Sequence, residues 1–277
     1  MLPVSADLVA LMATLCLAGA FAGLTAGLFG NGGGFVVVPV LLSVFPLFGE
    51  THNHLIYVAI GTSLATIVVS SARSVQAHMA RDAVDFDVLR TWSMWLVLGV
   101  TLGLAVAANT EGKQLVTLFA AGVLVYSIYF LFPDLFANLT RHFTMPTGIA
   151  RASLASVLGG FSALLGIGGG TITVMTMTLC NRPIHQAVAT AAGVGFIIGL
   201  PGAIGFMILG LNEPNLPIGS VGYVNFPALA AICSVSLFTA PVGARWAHNL
   251  DGRNLKRLFG VYLVIVSAAM FYKALQA

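Results

Sequence analysis

The chain writes Gly30-Asn31-Gly32-Gly33-Gly34 and then, 136 positions further on, Gly166-Ile167-Gly168-Gly169-Gly170, each at the junction of two strongly apolar stretches. Glycine permits positive φ and keeps side chains away from backbone N–H groups. Close helix packing would explain either cluster alone. Three consecutive glycines duplicated ahead of two short apolar segments point instead to a membrane protein whose helices break at a shared, symmetric place.

Composition agrees. Apolar residues make up 58% of the chain and charged residues only 8%, a balance no water-soluble surface could carry. Windows of about 20 apolar residues, enough to cross a ~30 Å hydrocarbon core, recur from end to end. The first Lys or Arg is Arg73, so the opening apolar stretch lacks the basic region of a cleavable signal and reads as a retained transmembrane helix. The segments lack the alternation of a closed barrel, so their backbone must satisfy itself as helix.

Apolar runs between polar or Gly/Pro breaks give ten segments, approximately 6–29, 33–47, 55–77, 88–108, 114–132, 147–166, 170–180, 185–210, 222–246 and 255–275. A shift of 136 lays Gly32-Gly33-Gly34 over Gly168-Gly169-Gly170, and a shift of 128 lays Ile56, Ala59 and Thr62 over Ile184, Ala187 and Thr190. A shift of 140 lays Gly103, Ala107, Asn109 and Gly112 over Gly243, Ala247, Asn249 and Gly252. The expected architecture is an all-α polytopic membrane protein forming one transporter domain over residues 1–277. It divides into two five-segment repeats, about 1–140 and 141–277.

If every segment crosses, Arg73, Arg81, Arg90, Arg141, Arg151, Arg182, Arg245, Arg253, Lys256 and Arg257 share one side, with only Lys113 and Lys273 opposite. The positive-inside rule then sets both termini outside, and an odd number of crossings per repeat makes the halves inverted. Segments 2 and 7, with about 15 and 11 residues, reach roughly 22 and 16 Å, short of the hydrocarbon core. Each glycine turn must dip into the membrane, the two from opposite faces. The unpaired N–H groups of two helix N-termini meeting there would form an anion site.

Gly30, Asn31, Gly32, Gly33 and Gly34 in the first turn and Gly166, Gly168, Gly169 and Gly170 in the second are therefore the expected substrate-binding residues. Asn31 and Thr171 could add side-chain donors, with Thr173 a further candidate. Thr62, Ser63 and the repeat mate Thr190 are hydroxyl candidates, although a hydroxyl in a helix often bonds its own backbone carbonyl. All nine carboxylates sit in or beside loops, so no buried acid marks a cation path and the expected substrate is anionic or neutral. Arg73, His78 and His185 are candidate gate or coupling groups, the histidines for proton coupling, against the plainer reading of interfacial residues.

Other chemistry finds no support. Cys16, Cys180 and Cys233 have no metal-ligand spacing, and no cofactor motif is present: neither cluster has the spacing of a nucleotide-binding loop. No dense basic run suggests a nucleic-acid partner, and no Ser/His arrangement suggests an enzyme. The partners expected are the lipid bilayer and a small anion.

With both motifs in view, the sequence resembles the TauE/SafE sulfite exporter family. The resemblance rests on Gly30-Asn31-Gly32-Gly33-Gly34 with the apolar run to Pro39, on Gly61-Thr62-Ser63-Leu64, and on Gly166-Ile167-Gly168-Gly169-Gly170 with Pro201. It implies a bacterial inner-membrane secondary transporter that moves a small sulfur-containing anion, sulfite or an organosulfonate such as sulfoacetate, usually outward. Asn31 departs from that pattern, where an aliphatic residue is more usual. An importer or broader carboxylate and sulfonate permease is the alternative within the class, and an anion channel the alternative outside it, disfavoured by the lack of a ring of basic residues.

Overall fold

The computed structural model describes residues 4–30, 32–48, 54–80, 82–132, 144–246 and 252–276. Among them the chain is nearly all helix, as the apolar segments require. The first half runs α1 (Val4–Phe29), α2 (Gly34–Val44) with a 3-10 turn at Phe45–Phe48, α3 (Leu55–Met79), α4 (Phe86–Ala108) and α5 (Gly112–Leu131). The second runs α6 (Gly148–Leu165), α7 (Gly170–Leu179), α8 (Ile184–Leu209), α9 (Phe226–Trp246) and α10 (Gly252–Gln276). All but α2 and α7 contain stretches long and apolar enough to cross a membrane, eight in all. This is a multi-pass integral membrane protein.

Helix partners exchange when the halves are exchanged. α1 packs along α9 and α4 along α6; α3 pairs with α8, and α5 with α10. Small residues allow the close approach, as is usual where lipid removes any hydrophobic drive between helices. On α1, Gly19 and Gly27 lie against the backbone carbonyls of Ile232 and Ala240, while on α4 Gly99 and Gly103 lie against those of Ser156 and Gly160. Both pairs therefore run parallel.

The central pair runs antiparallel. Gly61 meets Phe206, Leu64 meets Gly202, Ile67 meets Gly199 and Ser71 meets Gly195, one sequence rising as the other falls. α5 and α10 are antiparallel too, because Gly260 lies against Leu131 while the Ser267 hydroxyl donates to the Ala120 carbonyl at 2.9 Å.

One element departs from the sequence reading. The ninth apolar run starts near 222, but the structure folds Ser220–Val221 and Val224–Asn225 into a two-stranded hairpin and begins α9 at Phe226. Gly219 and Gly222 adopt positive φ, +82° and +54°, and make the turn the apolar residues conceal. The hairpin packs inward: the Tyr223 N–H donates to the Phe206 carbonyl at 3.2 Å, and Val224 is fully buried.

Candidate functional site

The two glycine turns have matching φ at three equivalent glycines. Gly30, Gly32 and Gly33 have φ of +66°, +71° and +83°, and Gly166, Gly168 and Gly169 have +63°, +69° and +69°. An L side chain in that region costs about 1–2 kcal/mol, which is why the motif is written in glycine. Each turn abuts the long central helix of the other half. A Cβ on Gly30 would meet the Val188 carbonyl of α8 at 2.6 Å, and one on Gly166 would meet Ile60 of α3 at 3.2 Å; residues 60 and 188 coincide under the 128 shift. The turns also touch each other, since a Cβ on Gly34 would overlap the Gly166 carbonyl oxygen.

The junction sits halfway along the antiparallel pair. On α3 the Ser63 hydroxyl donates to the Gly166 carbonyl at 2.8 Å, and the Ser70 hydroxyl to the Gly32 carbonyl at 3.1 Å. The short helices then leave it in opposite senses. α2 runs with α10, because Tyr262 donates to the Phe35 carbonyl at 3.5 Å and Lys273 to the Leu42 carbonyl at 2.6 Å. α7 points the way α5 does, because Leu165, at the end of α6 just before the turn, lies against Gly122, while Thr178 near the far end of α7 bonds Tyr129. As α5 and α10 are antiparallel, two helix N-termini open onto the junction from opposite directions.

At ~1.5 Å per residue, α2 and α7 extend only about 16 and 15 Å. Their N-caps are Gly33 and Gly169, and a glycine cap brings no side-chain oxygen to the first-turn N–H groups. Residues 32–34, 166, 168–170 and Thr171 are all buried. Buried N-terminal amides that carry partial positive charge and follow a glycine cap suit an anion.

Hydroxyls complete the surroundings. The Thr173 hydroxyl bonds the Gly169 carbonyl at 3.0 Å, but those of Ser71, Ser74, Ser162 and Thr171, all buried, have no hydrogen-bond partner among the described residues. Two other buried hydroxyls return to their own backbone, Thr25 of α1 to Ala22 and Thr66 of α3 to Ser63. Ser162 Oγ lies 3.0 Å from the place a Cβ on Gly169 would take, and Ser71 Oγ faces Gly195 beside the Gly168 carbonyl. The sequence reading missed Ser71, Ser74 and Ser162; their one visible signal is serine inside apolar helix, which Ser127 and Ser236 share while bonding their own helices. Tyr126 also buries a hydroxyl without a partner among the described residues, its ring edge-on to Phe35 with centroids 5.1 Å apart.

Thr62 and Thr190 are fully buried and engaged elsewhere. The Thr62 hydroxyl accepts the Asn225 N–H at 2.9 Å, and the Thr190 hydroxyl accepts the Asp85 N–H at 2.9 Å. Asn225 Oδ1 accepts from the Ala228 N–H and Asp85 Oδ1 from the Val88 N–H, so Thr62 of α3 holds the residue that caps α9, and Thr190 of α8 the residue that caps α4. The two threonines, aligned by the 128 shift, make matching helix-anchoring contacts.

Of the remaining candidates, Arg73 is exposed and donates to Gln76 Oε1 at 3.0 Å, while His185 is exposed in the first turn of α8. His78 is buried one turn beyond Ser74. The turns do not gather these three. Asn31 lies outside the described residues. Ion pairs sit at the two ends of the α3–α8 pair, His54 Nε2 to Glu213 Oε2 at 3.6 Å and Arg182 Nη2 to Asp85 Oδ2 at 3.7 Å.

A multi-pass helical protein with broken helices meeting between antiparallel long ones has the architecture of a membrane transporter. The chain belongs to the sulfite exporter TauE/SafE family, whose family model it matches over residues 15–270. It is 32% identical over 265 residues to a probable membrane transporter protein of Haemophilus influenzae, covering 94% of this chain and 98% of the relative. Probable membrane transporter proteins of Methanocaldococcus jannaschii and Bacillus subtilis are each 24% identical, covering 94% of this chain and 95% and 97% of the relatives. No solved structure gives a significant match.

Proposed function

We propose that the protein is a secondary transporter carrying a small sulfur-containing anion, sulfite or an organosulfonate such as sulfoacetate, outward across a bacterial inner membrane. The observation that carries this reading is the meeting of two buried, glycine-capped helix N-termini beside the middle of α3 and α8. Partial positive charge without a fixed cation suits an anion that must leave as readily as it enters. The antiparallel pairing of α3 with α8 and of α5 with α10 supports two inverted five-helix repeats, residues about 1–140 and 141–277. Such halves can rock about the fixed junction, exposing it to each side in turn. The charge distribution favours both termini on the outer face.

Proteoliposomes test this directly. Saturable uptake of labelled sulfite or sulfoacetate, accelerated by unlabelled anion on the opposite side, is the expected result. Flux that never saturates and follows voltage alone would make the protein a channel. Gly169→Leu should abolish binding while the protein remains monodisperse in detergent; retained binding would move the site away from the glycine turns.

A further inference from the structure

α3 meets α8 along one seam. Leu64, Ile67, Ser71, Ser74 and His78 recur on α3 at alternating intervals of three and four, and so share a face. Leu64 lies against Gly202, Ile67 against Gly199 and Ser71 against Gly195. The same register carries Ser74 to the level of Ala192 and His78 to that of Val188. The seam changes character at the glycine junction, where the Gly168 carbonyl stands beside Ser71 and Gly195. Toward the hairpin it is closed by Leu64, Ile67 and Phe206, all fully buried. Toward the Asp85–Arg182 ion pair it is polar. The repeat does not copy this polarity, since the α8 positions equivalent to Ser71, Ser74 and His78 are Gly199, Gly202 and Phe206.

Ser71, Ser74 and His78 are each at most 1% exposed, and the two serine hydroxyls have no hydrogen-bond partner among the described residues. A helical hydroxyl ordinarily bonds back to its own helix, and Thr66 and Ser70 of α3 do so, to the Ser63 and Ile67 carbonyls at 2.7 and 3.3 Å. Ser71 and Ser74, on the seam, do not. Two unpaired hydroxyls buried one turn apart are costly, and water between them, with the Gly168 carbonyl as a further partner, removes that cost. A histidine inside a spanning helix one turn further on is the kind of residue that marks a solute path.

We propose that Ser71, Ser74 and His78 line a hydrated lane connecting the glycine junction with the aqueous phase beside Arg182, while Leu64, Ile67 and Phe206 seal the junction from the opposite side. This rests on the transporter reading of the junction and adds the route by which it is reached; it does not depend on which anion is carried. The charge distribution makes the lane the inner route. Opening the outer route then requires α8 to move off Leu64 and Ile67, where apolar contact and not a polar bond holds the two helices together.

Thiol accessibility in sealed membrane vesicles of either orientation tests this. In a chain with Cys16, Cys180 and Cys233 replaced by alanine, Ser71→Cys and Ser74→Cys should react with an impermeant trimethylammonium methanethiosulfonate applied from the Arg182 side, and not from the other. Leu64→Cys should react from the Arg182 side at least about tenfold more slowly, because the thiolate is the reacting form and apolar burial suppresses it. Hydroxyl-radical footprinting of the unaltered protein reads the same property without substitution: His78 should be oxidised and Phe206 protected, although both are buried. Failure of both serine positions to react in folded protein, reaction of Leu64→Cys at the same rate from the Arg182 side, or equal protection of His78 and Phe206 overturns the lane. If any of these occurs while Gly169→Leu still abolishes anion binding, the junction reading stands and only its access route falls. Reaction as expected alongside retained binding in Gly169→Leu would keep the lane and move the anion site.

Discussion

Gly33, the helix cap of the first turn, is set against backbone, and its counterpart Gly169 in the second against side chains. A Cβ on Gly33 would meet the Ala22 carbonyl oxygen at 2.6 Å, whereas one on Gly169 would meet the side-chain ends of Ile198 and Leu158 at 2.6 and 2.7 Å. Residues 22 and 158 are equivalent under the 136 shift, so the same neighbour presents its carbonyl on one side and its side chain on the other. A side-chain end can swing away and a helix carbonyl cannot. The first turn is thus walled rigidly at Gly33, and the second is adaptable at Gly169, near hydroxyls that have no partner among the described residues. Duplicated motifs fix a common backbone, and their neighbours decide what each copy does.

The largest expected effect breaks this comparison at Gly33. Gly33→Ala adds left-handed strain of about 1–2 kcal/mol to overpacking of about 1–3 kcal/mol against an immovable carbonyl, roughly 2–5 kcal/mol together. Gly169→Ala carries the strain alone, about 1–2 kcal/mol, because its neighbours can turn aside. Thermal melts of both variants in detergent should place Gly33→Ala well below Gly169→Ala. Equal losses would mean that the surroundings of the turns do not differ mechanically.

The next effect concerns Thr62 and Thr190. Thr→Val at either keeps the shape and removes the acceptor for a buried N–H, costing about 1–3 kcal/mol. Asn225 is 3% exposed and follows the fully buried Val224, while Asp85 is 9% exposed and follows a half-buried Val84. Thr62→Val should therefore sit at the upper end of that range and Thr190→Val at the lower, where water can reach the freed amide. Hydrogen exchange at Asn225 and Asp85 would show which N-cap opens.

Much of this was legible in the sequence. The ten apolar runs coincide with the ten helices among the described residues to within a few positions, because lipid imposes one rule on every spanning segment. The glycine turns were legible because positive φ leaves a mark in residue type. Thr62 and Thr190 were visible as a pair, but their partners lie 163 and 105 positions away, which no local pattern reports. Ser71 and Ser162 were invisible for a related reason: what distinguishes them from Ser127 is a bond they do not make. The hairpin at 220–225 was hidden because an apolar run reads the same through a tight turn as through a helix.

That hairpin also marks a difference between the halves. The α3–α4 connection is short, Ala80 to Asp85, while the α8–α9 connection runs from Gly210 to Asn225 and folds over one end of the α3–α8 pair. Tyr223 from its tip stacks on Tyr57 at 5.1 Å, and its hydroxyl lies 3.2 Å from His54 Nδ1. Burial, and then the negative charge of Glu213, push the Tyr223 phenol above its ordinary value of 10. A raised phenol pKa means that the folded state favours the neutral ring. Stability from this source is therefore whole below about pH 10 and is lost as pH rises through the raised value. Tyr223→Phe should cost about 0.5–1.5 kcal/mol at neutral pH, the net worth of one hydrogen bond, and remove the tyrosine's share of the alkaline loss. Melting curves of wild type and variant should then converge between pH 10 and strongly alkaline pH, since the phenylalanine has nothing to ionise. Parallel curves would show that the hairpin is held by stacking alone, leaving the longer connection a steric cover and not a polar latch.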